Sequence, residues 1–213
     1  MSNLTFSLLS QQILNYIDRN DSVTAQTVPF FISQAEQRLS REFESIGSET
    51  YVVGNFIAGL AVYQKPGNWR RTLAFNYGTG ANNNTRNIVF ERSYDAARAY
   101  WGDDSQQGLP LYYADYGYSD WLIVPTPNGD YPFEVAYLQL PQQLSINNQS
   151  NWYTIYVPDL LFFACMIETS TYLKDFEIVP VWQSYYERAL ASAKAQNHNR
   201  LVDRQSDIVS DKS

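Results

Sequence analysis

Residues 121–137 read WLIVPTPNGDYPFEVAY and hold the strongest strand signal in the chain. Trp121, Ile123 and Pro125 alternate in a first run, and Tyr131, Phe133, Val135 and Tyr137 alternate in a second. Between these runs, the Asn128-Gly129 pair favours a tight reversal of the backbone. Because alternation at period two is typical of a half-buried strand, the pattern predicts an antiparallel hairpin with one buried face.

The hairpin belongs to a longer β-rich region, predicted to span residues 49–146. Further strand-like runs, separated by turn residues such as Pro66-Gly67-Asn68, occupy 50–53, 60–63, 71–77 and 88–90. One short helix is predicted within this region at 93–101, where Tyr94, Ala97 and Trp101 share a side.

Helical periodicity precedes this region. The apolar stripes are Phe6, Leu9, Ile13 and Ile17 in a first helix, and Ile32, Ala35, Leu39 and Phe43 in a second. We expect Pro29 in the first turn of the second helix, where a missing N–H is harmless. Both helices are amphipathic, so each needs a partner surface.

Two further helices are predicted after the β-rich region. Residues 158–172 are apolar almost all round, so this helix should be central. The last helix runs from about 178 to Asn197, and its predicted apolar face carries Trp182, Tyr185, Ala189 and Ala193.

Together these elements predict an α+β fold: a four-helix bundle formed by the N- and C-terminal helix pairs, with an inserted antiparallel β-rich region. The bundle comprises residues 1–48 and 147–200, and the inserted domain comprises 49–146. Residues 201–213 are rich in charge and serine, and we expect a flexible C-terminal tail there.

The charge balance argues against direct nucleic-acid binding. The net charge is −7 and the 15 basic residues are scattered, whereas a protein that grips phosphates needs a dense basic surface. An acidic surface suits a channel through which DNA slides without sticking. The N-terminus lacks the pattern of a secretion signal, and we find no apolar run long enough to span a membrane.

Groups of residues that could form a catalytic site are scarce, and the sequence predicts no enzyme, no metal site and no cofactor. His198 is the only histidine, and Cys165 lies within an apolar helix, where a thiol is unreactive. Nucleotide-binding glycine motifs are absent from the sequence. The pair Asp103-Asp104, with Asp115 and Asp120, leaves open a weak alternative, an acidic glycosidase.

Aromatic residues are numerous: 17 Tyr, 11 Phe and 5 Trp. Tyr112, Tyr113, Tyr116 and Tyr118 form a dense group that we predict at an interface with another subunit or with a larger partner. With Trp121, the same group suggests an alternative function, an aromatic carbohydrate- or surface-binding module. Ordinary strand packing is a third explanation of the group.

Three stretches in fixed order carry a resemblance to a known family. They are residues 28–39 (VPFFISQAEQRL), 121–135 (WLIVPTPNGDYPFEV), and 156–161 (YVPDLL) followed by 172–175 (YLKD) and 180–183 (PVWQ). In this order they resemble the head-to-tail adaptor (connector) proteins of tailed bacteriophages, most closely the short-tailed-phage type.

The resemblance implies a structural virion protein that is made in the host bacterial cytoplasm. It implies a ring of twelve copies that binds the portal protein, joins the head to a tail nozzle or tail-tube protein, and lets genomic DNA pass through its channel. It also implies that the C-terminal segment docks into the portal. In this sequence, the residues expected to bind there are Arg200, Leu201, Asp203 and Arg204.

Overall fold

A computed structural model describes residues 4–18, 21–44, 46–103 and 105–210 of the protein. Within these ranges, the side chains of Ile46, Ala81 and residues 200–210 are not described. The chain divides into two compact units: a helical unit formed by Met1–Ser48 with Pro141–Ser213, and a β unit formed by Glu49–Leu140.

The described part of the chain contains six α-helices and ten strands. The helices are α1 (Phe6–Ile17), α2 (Ser22–Glu42), α3 (Tyr94–Tyr100), α4 (Trp152–Tyr156), α5 (Pro158–Tyr172) and α6 (Val179–Ser210). The strands are β1 (Glu49–Phe56), β2 (Val62–Gln64), β3 (Trp69–Thr79), β4 (Thr85–Ile88), β5 (Phe90–Glu91), β6 (Gln107–Gly108), β7 (Tyr112–Tyr116), β8 (Asp120–Val124), β9 (Thr126–Pro127) and β10 (Tyr131–Gln139).

Helix α2 begins earlier than the sequence suggested. Asp21 caps it, and its carboxylate accepts a hydrogen bond from the backbone N–H of Thr24 at 2.8 Å. Pro29 therefore lies inside the helix, and the prediction that it occupies the first turn is wrong. The apolar stripe seen in the sequence misplaced the start because the first turns of α2 are largely exposed and carry little apolar signal.

Helix α5 is the centre of the helical unit, as its apolar sequence predicted. It contacts α1, α2, α4 and α6. Leu160, Leu161, Ala164 and Cys165 on this helix are fully buried. Burial on several sides requires an apolar circumference, which explains why α5 lacks a clear polar face.

The prediction of a four-helix bundle is wrong, although the protein is α+β. Among the described residues, the helical unit contains five helices, because the short α4 precedes α5, and the sixth, α3, belongs to the β unit. The Asn151 side chain caps α4, accepting hydrogen bonds from the backbone N–H groups of Tyr153 and Thr154. A helix of five residues is too short to show a periodic apolar face, so periodicity could not reveal it.

The core face of α6 also differs from the prediction by one residue. Trp182, Tyr186 and Ala193 are buried, whereas Tyr185 is 43% exposed. The Tyr186 hydroxyl donates to Glu42 at 2.8 Å, which gives this buried tyrosine a partner on α2.

The β unit contains two four-stranded sheets and one two-stranded sheet. The first sheet has the order β1-β10-β3-β4 and is antiparallel throughout. The second has the order β2-β8-β7-β5, and the third pairs β6 with β9. The pairs β5–β7 and β6–β9 are parallel, so the prediction of an antiparallel inserted region is wrong for these two pairs.

The predicted hairpin of residues 121–137 does not form, because its two strands lie in different sheets. Strand β8 pairs with β2 and β7, while β10 pairs with β1 and β3. The two sheets instead contribute to one buried cluster, in which Trp121 and Ile123 of β8 join Phe133 and Val135 of β10. Alternation identified the faces that join this cluster, although it missed that β8 is also buried on its other face, and it carries no information about the hydrogen-bonding partner.

The second sheet is covered on its other face by α3. Ala97 of α3, Ala114 of β7, and Leu122 and Val124 of β8 form a separate buried cluster. Strand β8 is therefore buried on both faces, which accounts for the uninterrupted apolar run at 121–124.

Candidate interaction surfaces

The four tyrosines predicted at an interface do not form one surface. Tyr113 lies in the core between the two larger sheets, with its ring centroid 5.5 Å from that of Phe75. Its hydroxyl donates to Glu91 at 3.3 Å. Burial, reinforced by the nearby Glu91 carboxylate, raises the pKa of Tyr113. This residue is a core residue in the folded protein.

Tyr112 and Tyr118 lie in different surroundings. The ring of Tyr112 is half-buried, meets Tyr100 edge to face at 5.0 Å, and has the Arg92 guanidinium 5.0 Å from its centroid. Tyr118 follows Gly117, which adopts a φ of 67°, and is 88% exposed between β7 and β8. Of these two residues, Tyr118 offers the more accessible aromatic surface.

Tyr116 stacks on Tyr94 of α3, with ring centroids 5.8 Å apart and an interplanar angle of 29°. Both rings are about two-fifths exposed. Tyr94 also lines a surface groove of about 670 Å³ together with Glu91, Arg92, Ser93, Ala96 and Asp115. The groove thus combines an aromatic wall with charges of both signs.

The outer face of the first sheet carries exposed apolar residues at both of its edges. Val53 of β1, Glu134 of β10, Asn76 of β3 and Ile88 of β4 lie opposite one another in a single row across the four strands. Val53 is 66% exposed and Ile88 62%, and Tyr51, two residues before Val53 on the same face, is 70% exposed. The sequence gives little sign of this surface. Its one signal is the run of consecutive apolar residues 51–53, which places apolar side chains on both faces of the strand.

The helical unit presents an aromatic cluster of its own. The rings of Tyr16, Phe162, Phe163, Trp182 and Tyr185 contact one another at centroid distances of 5.4–6.3 Å. Tyr16 and Trp182 also line a cavity of about 280 Å³ between the end of α1 and the α5–α6 connection. The indole N–H of Trp182 has no hydrogen-bond partner within the described residues. Because Tyr16 and Tyr185 are exposed, part of this cluster is open to a partner.

The residues expected to dock into the portal lie at the end of α6. The side chains of Arg200, Leu201, Asp203 and Arg204 lie outside the described residues; the helical backbone continues to Ser210. Their role, and the flexibility expected of residues 201–213 in the isolated protein, stay predictions.

The candidate catalytic carboxylates have structural partners where the structure describes them. Asp115 forms an ion pair with the buried Lys65 at 2.9 Å. Asp103 accepts hydrogen bonds from the backbone and hydroxyl of Ser105, and Asp120 accepts one from an adjacent serine. Asp104 lies outside the described residues. Each of the three described acids is therefore engaged in a local structural contact.

Cys165 and His198 lie in different environments. Cys165 is fully buried, and burial raises the pKa of its thiol, so the reactive thiolate is disfavoured. His198 is exposed on α6. Among the described residues, no group of three or more His, Cys, Asp or Glu side chains could hold a metal ion, and no helix is both long and apolar enough to cross a membrane.

Comparison with known proteins identifies the family. The model of the family described as SU10 adaptor protein matches residues 4–208, which is nearly the whole chain. No curated protein matches the sequence. Three separate stretches of the sequence had indicated a resemblance to phage head-to-tail adaptors, and the family match confirms it. The chain therefore belongs to the SU10 adaptor protein family, and it is a structural adaptor component of a phage virion.

Proposed function

We propose that copies of this protein form an adaptor ring that joins the portal vertex of a phage head to the tail, with DNA passing through the channel of the ring. The observation that carries the proposal is the family match over residues 4–208. Its partners would be the portal protein, neighbouring copies in a ring of twelve, and a tail nozzle or tail-tube protein.

The distribution of exposed aromatic and apolar residues supports assembly with other chains. The helical unit exposes Tyr16 and Tyr185, and the β unit exposes Tyr51, Val53 and Tyr118. A subunit in a closed ring needs two different contact patches, one for each neighbour. Aromatic residues are favoured as anchors in such patches because each buries a large apolar area.

The charge of the protein agrees with the passage of DNA. A net charge of −7 would repel the phosphate backbone, so a channel formed by acidic subunits would hold DNA weakly. The DNA would then contact the ring only in transit.

Reconstitution tests the proposal directly. Purified protein is mixed with portal particles and imaged by electron microscopy, and a ring of added density below the portal is expected. Portal particles that gain no density would contradict the proposal. Deletion of residues 199–213 should weaken docking severalfold if the C-terminal segment binds the portal, and undiminished docking would remove that segment from the proposal.

A second candidate, a carbohydrate- or surface-binding module of a tail structure, rests on the groove beside Tyr94 and Tyr116. Stacked tyrosines can pack on sugar faces, and Glu91, Arg92 and Asp115 could bond to hydroxyl groups. Binding of the folded protein to a glycan array, lost in Tyr116→Ala, would favour this function. Silence of the array would exclude it.

A further inference from the structure

The first sheet of the β unit ends in one edge strand on each side. Its order is β1-β10-β3-β4, so β1 and β4 are its edges, and the described part of the chain supplies no further strand to either edge. Edge strands with unpaired backbone groups can pair with another chain, and proteins commonly protect them with lysine or proline. Strand β1 reads ETYVVGNF over eight residues and contains neither.

The two edges have the strand directions that pairing between copies requires. Each neighbouring pair in the sheet is antiparallel, so β4 runs opposite to β1. Neighbouring copies in a ring share one orientation relative to the ring axis. If two copies stand side by side in this way, β4 of one meets β1 of the next in the antiparallel sense, and the sheet continues across the boundary.

The side chains at the two edges also match. Val53 at one edge and Ile88 at the other belong to the same cross-strand row, and both are about two-thirds exposed. Pairing of β4 with β1 would place Ile88 of one copy beside Tyr51 or Val53 of the next, on one face. Cross-strand pairs of aromatic and β-branched residues stabilise a sheet, and here they would cover three exposed apolar side chains.

We infer that β1 of one copy and β4 of a second copy pair edge to edge, so that the first sheet is continuous around the adaptor ring. This sheet-edge contact rests on the proposed function, because it assumes that copies assemble side by side. One contact surface between copies would then be formed by β1 and β4 of the β unit.

Paired cysteines test the contact. The variants are Val53→Cys with Ile88→Cys, and Tyr51→Cys with Ile88→Cys, which cover the two registers that keep the exposed residues on one face. Within one copy, positions 53 and 88 are three strand spacings apart, roughly 14 Å, which is too far for a disulfide. The native Cys165 is buried and does not compete. Ring samples oxidised and run without reductant should therefore show dimers and longer ladders for at least one variant.

Matched variants provide the control and a second measurement. Leu109 is half exposed and lies outside the first sheet, so Leu109→Cys with Ile88→Cys should give no ladder. Val53→Lys and Ile88→Lys add the charge that natural edge strands use against pairing, and each should lower ring formation on the portal about tenfold. Leu109→Lys should leave ring formation unchanged, and circular dichroism of each lysine variant verifies that the monomer is folded.

The outcomes separate this inference from the proposed function. Rings of the unaltered protein that form on the portal, while neither cysteine pair cross-links and both lysine variants assemble normally, would overturn the sheet-edge contact alone. Unaltered copies that never assemble on the portal would refute the proposed function and the contact together.

Discussion

Glu36 is a buried carboxylate whose replacement has a calculable effect on stability. It lies on α2, is 5% exposed, and accepts hydrogen bonds from the backbone N–H of Leu144, at 3.1 and 3.2 Å, and from the side-chain amide of Asn151. These bonds attach the connection before α4 to α2. Burial raises the pKa of Glu36 from 4.5 to about 7, although both hydrogen bonds oppose the shift.

The raised pKa makes stability depend on pH in a definite direction. Below about pH 4.5 the Glu36 carboxyl is protonated in both the folded and the unfolded chain. Between pH 4.5 and 7 the folded state retains a proton that the unfolded chain has released, so raising the pH destabilises the fold. Above about pH 7 the Glu36 carboxyl is charged in both states, and the loss of folding stability is complete. At about 1.4 kcal/mol per pKa unit, the shift corresponds to about 3 kcal/mol.

Glu36→Gln removes this titration and keeps one oxygen that can accept from Leu144 or Asn151. We expect the unfolding free energy of the variant, relative to the unaltered protein, to rise by about 3 kcal/mol between pH 4 and pH 8. Urea unfolding followed by circular dichroism at several pH values measures this difference. Comparing the two proteins at each pH cancels the contribution of the other titrating groups.

Glu187→Gln provides the control, because Glu187 is an exposed carboxylate of the same helical unit. The pH dependence of Glu36→Gln, relative to the unaltered protein, should exceed that of this exposed control over the same range. A pH-independent difference for Glu36→Gln would refute the reasoning, since it would mean that Glu36 titrates alike in the folded and unfolded chains.

Two further predictions concern the β unit and are checked by the same urea measurements. Lys65 is buried, pairs with Asp115, and has its ammonium group 3.8 Å from the ring centroid of Trp69. Lys65→Ala should cost about 3 kcal/mol and Lys65→Met about 1 kcal/mol, because methionine retains the packing of the side-chain stem; equal losses would show that the stem contributes nothing. The Trp121 indole donates to the Thr72 hydroxyl at 3.0 Å within the core. Trp121→Phe should therefore cost about 2 kcal/mol, from the lost bond and the reduced volume, and an unchanged midpoint would contradict this assignment.

The predictions from sequence were most accurate where one helix or strand determines the pattern by itself. The central position of α5 followed from its apolar circumference, and the prediction of α3 was within one residue at each end. Most strands of the β unit overlap the predicted runs. These properties depend on local periodicity and on capping side chains, which neighbouring residues encode.

The candidate surfaces were less predictable. The tyrosine-rich stretch 112–118 was evident in the sequence, and period two separates Tyr113 from Tyr112 and Tyr116. The sequence could not show that both faces of the second sheet are covered, which places Tyr113 in the core. Nor could it show that Tyr118, in the connection between β7 and β8, is exposed. The exposed edges of the first sheet were also missed, because the exposure of a strand depends on which strands lie beside it in the sheet.

The sequence by itself determined much of the local structure, the α+β class and the family of this protein, because helix caps, apolar periodicity and ordered motifs are all contained in contiguous residues. Tertiary structure alone decided that 121–124 and 131–139 lie in different sheets, that Glu36 is buried, and that β1 and β4 are edges. Each of these depends on contacts between residues distant in the chain. Alternation specifies which face of a strand is buried, but hydrogen bonding between strands is formed by backbone groups that are the same for nearly every residue.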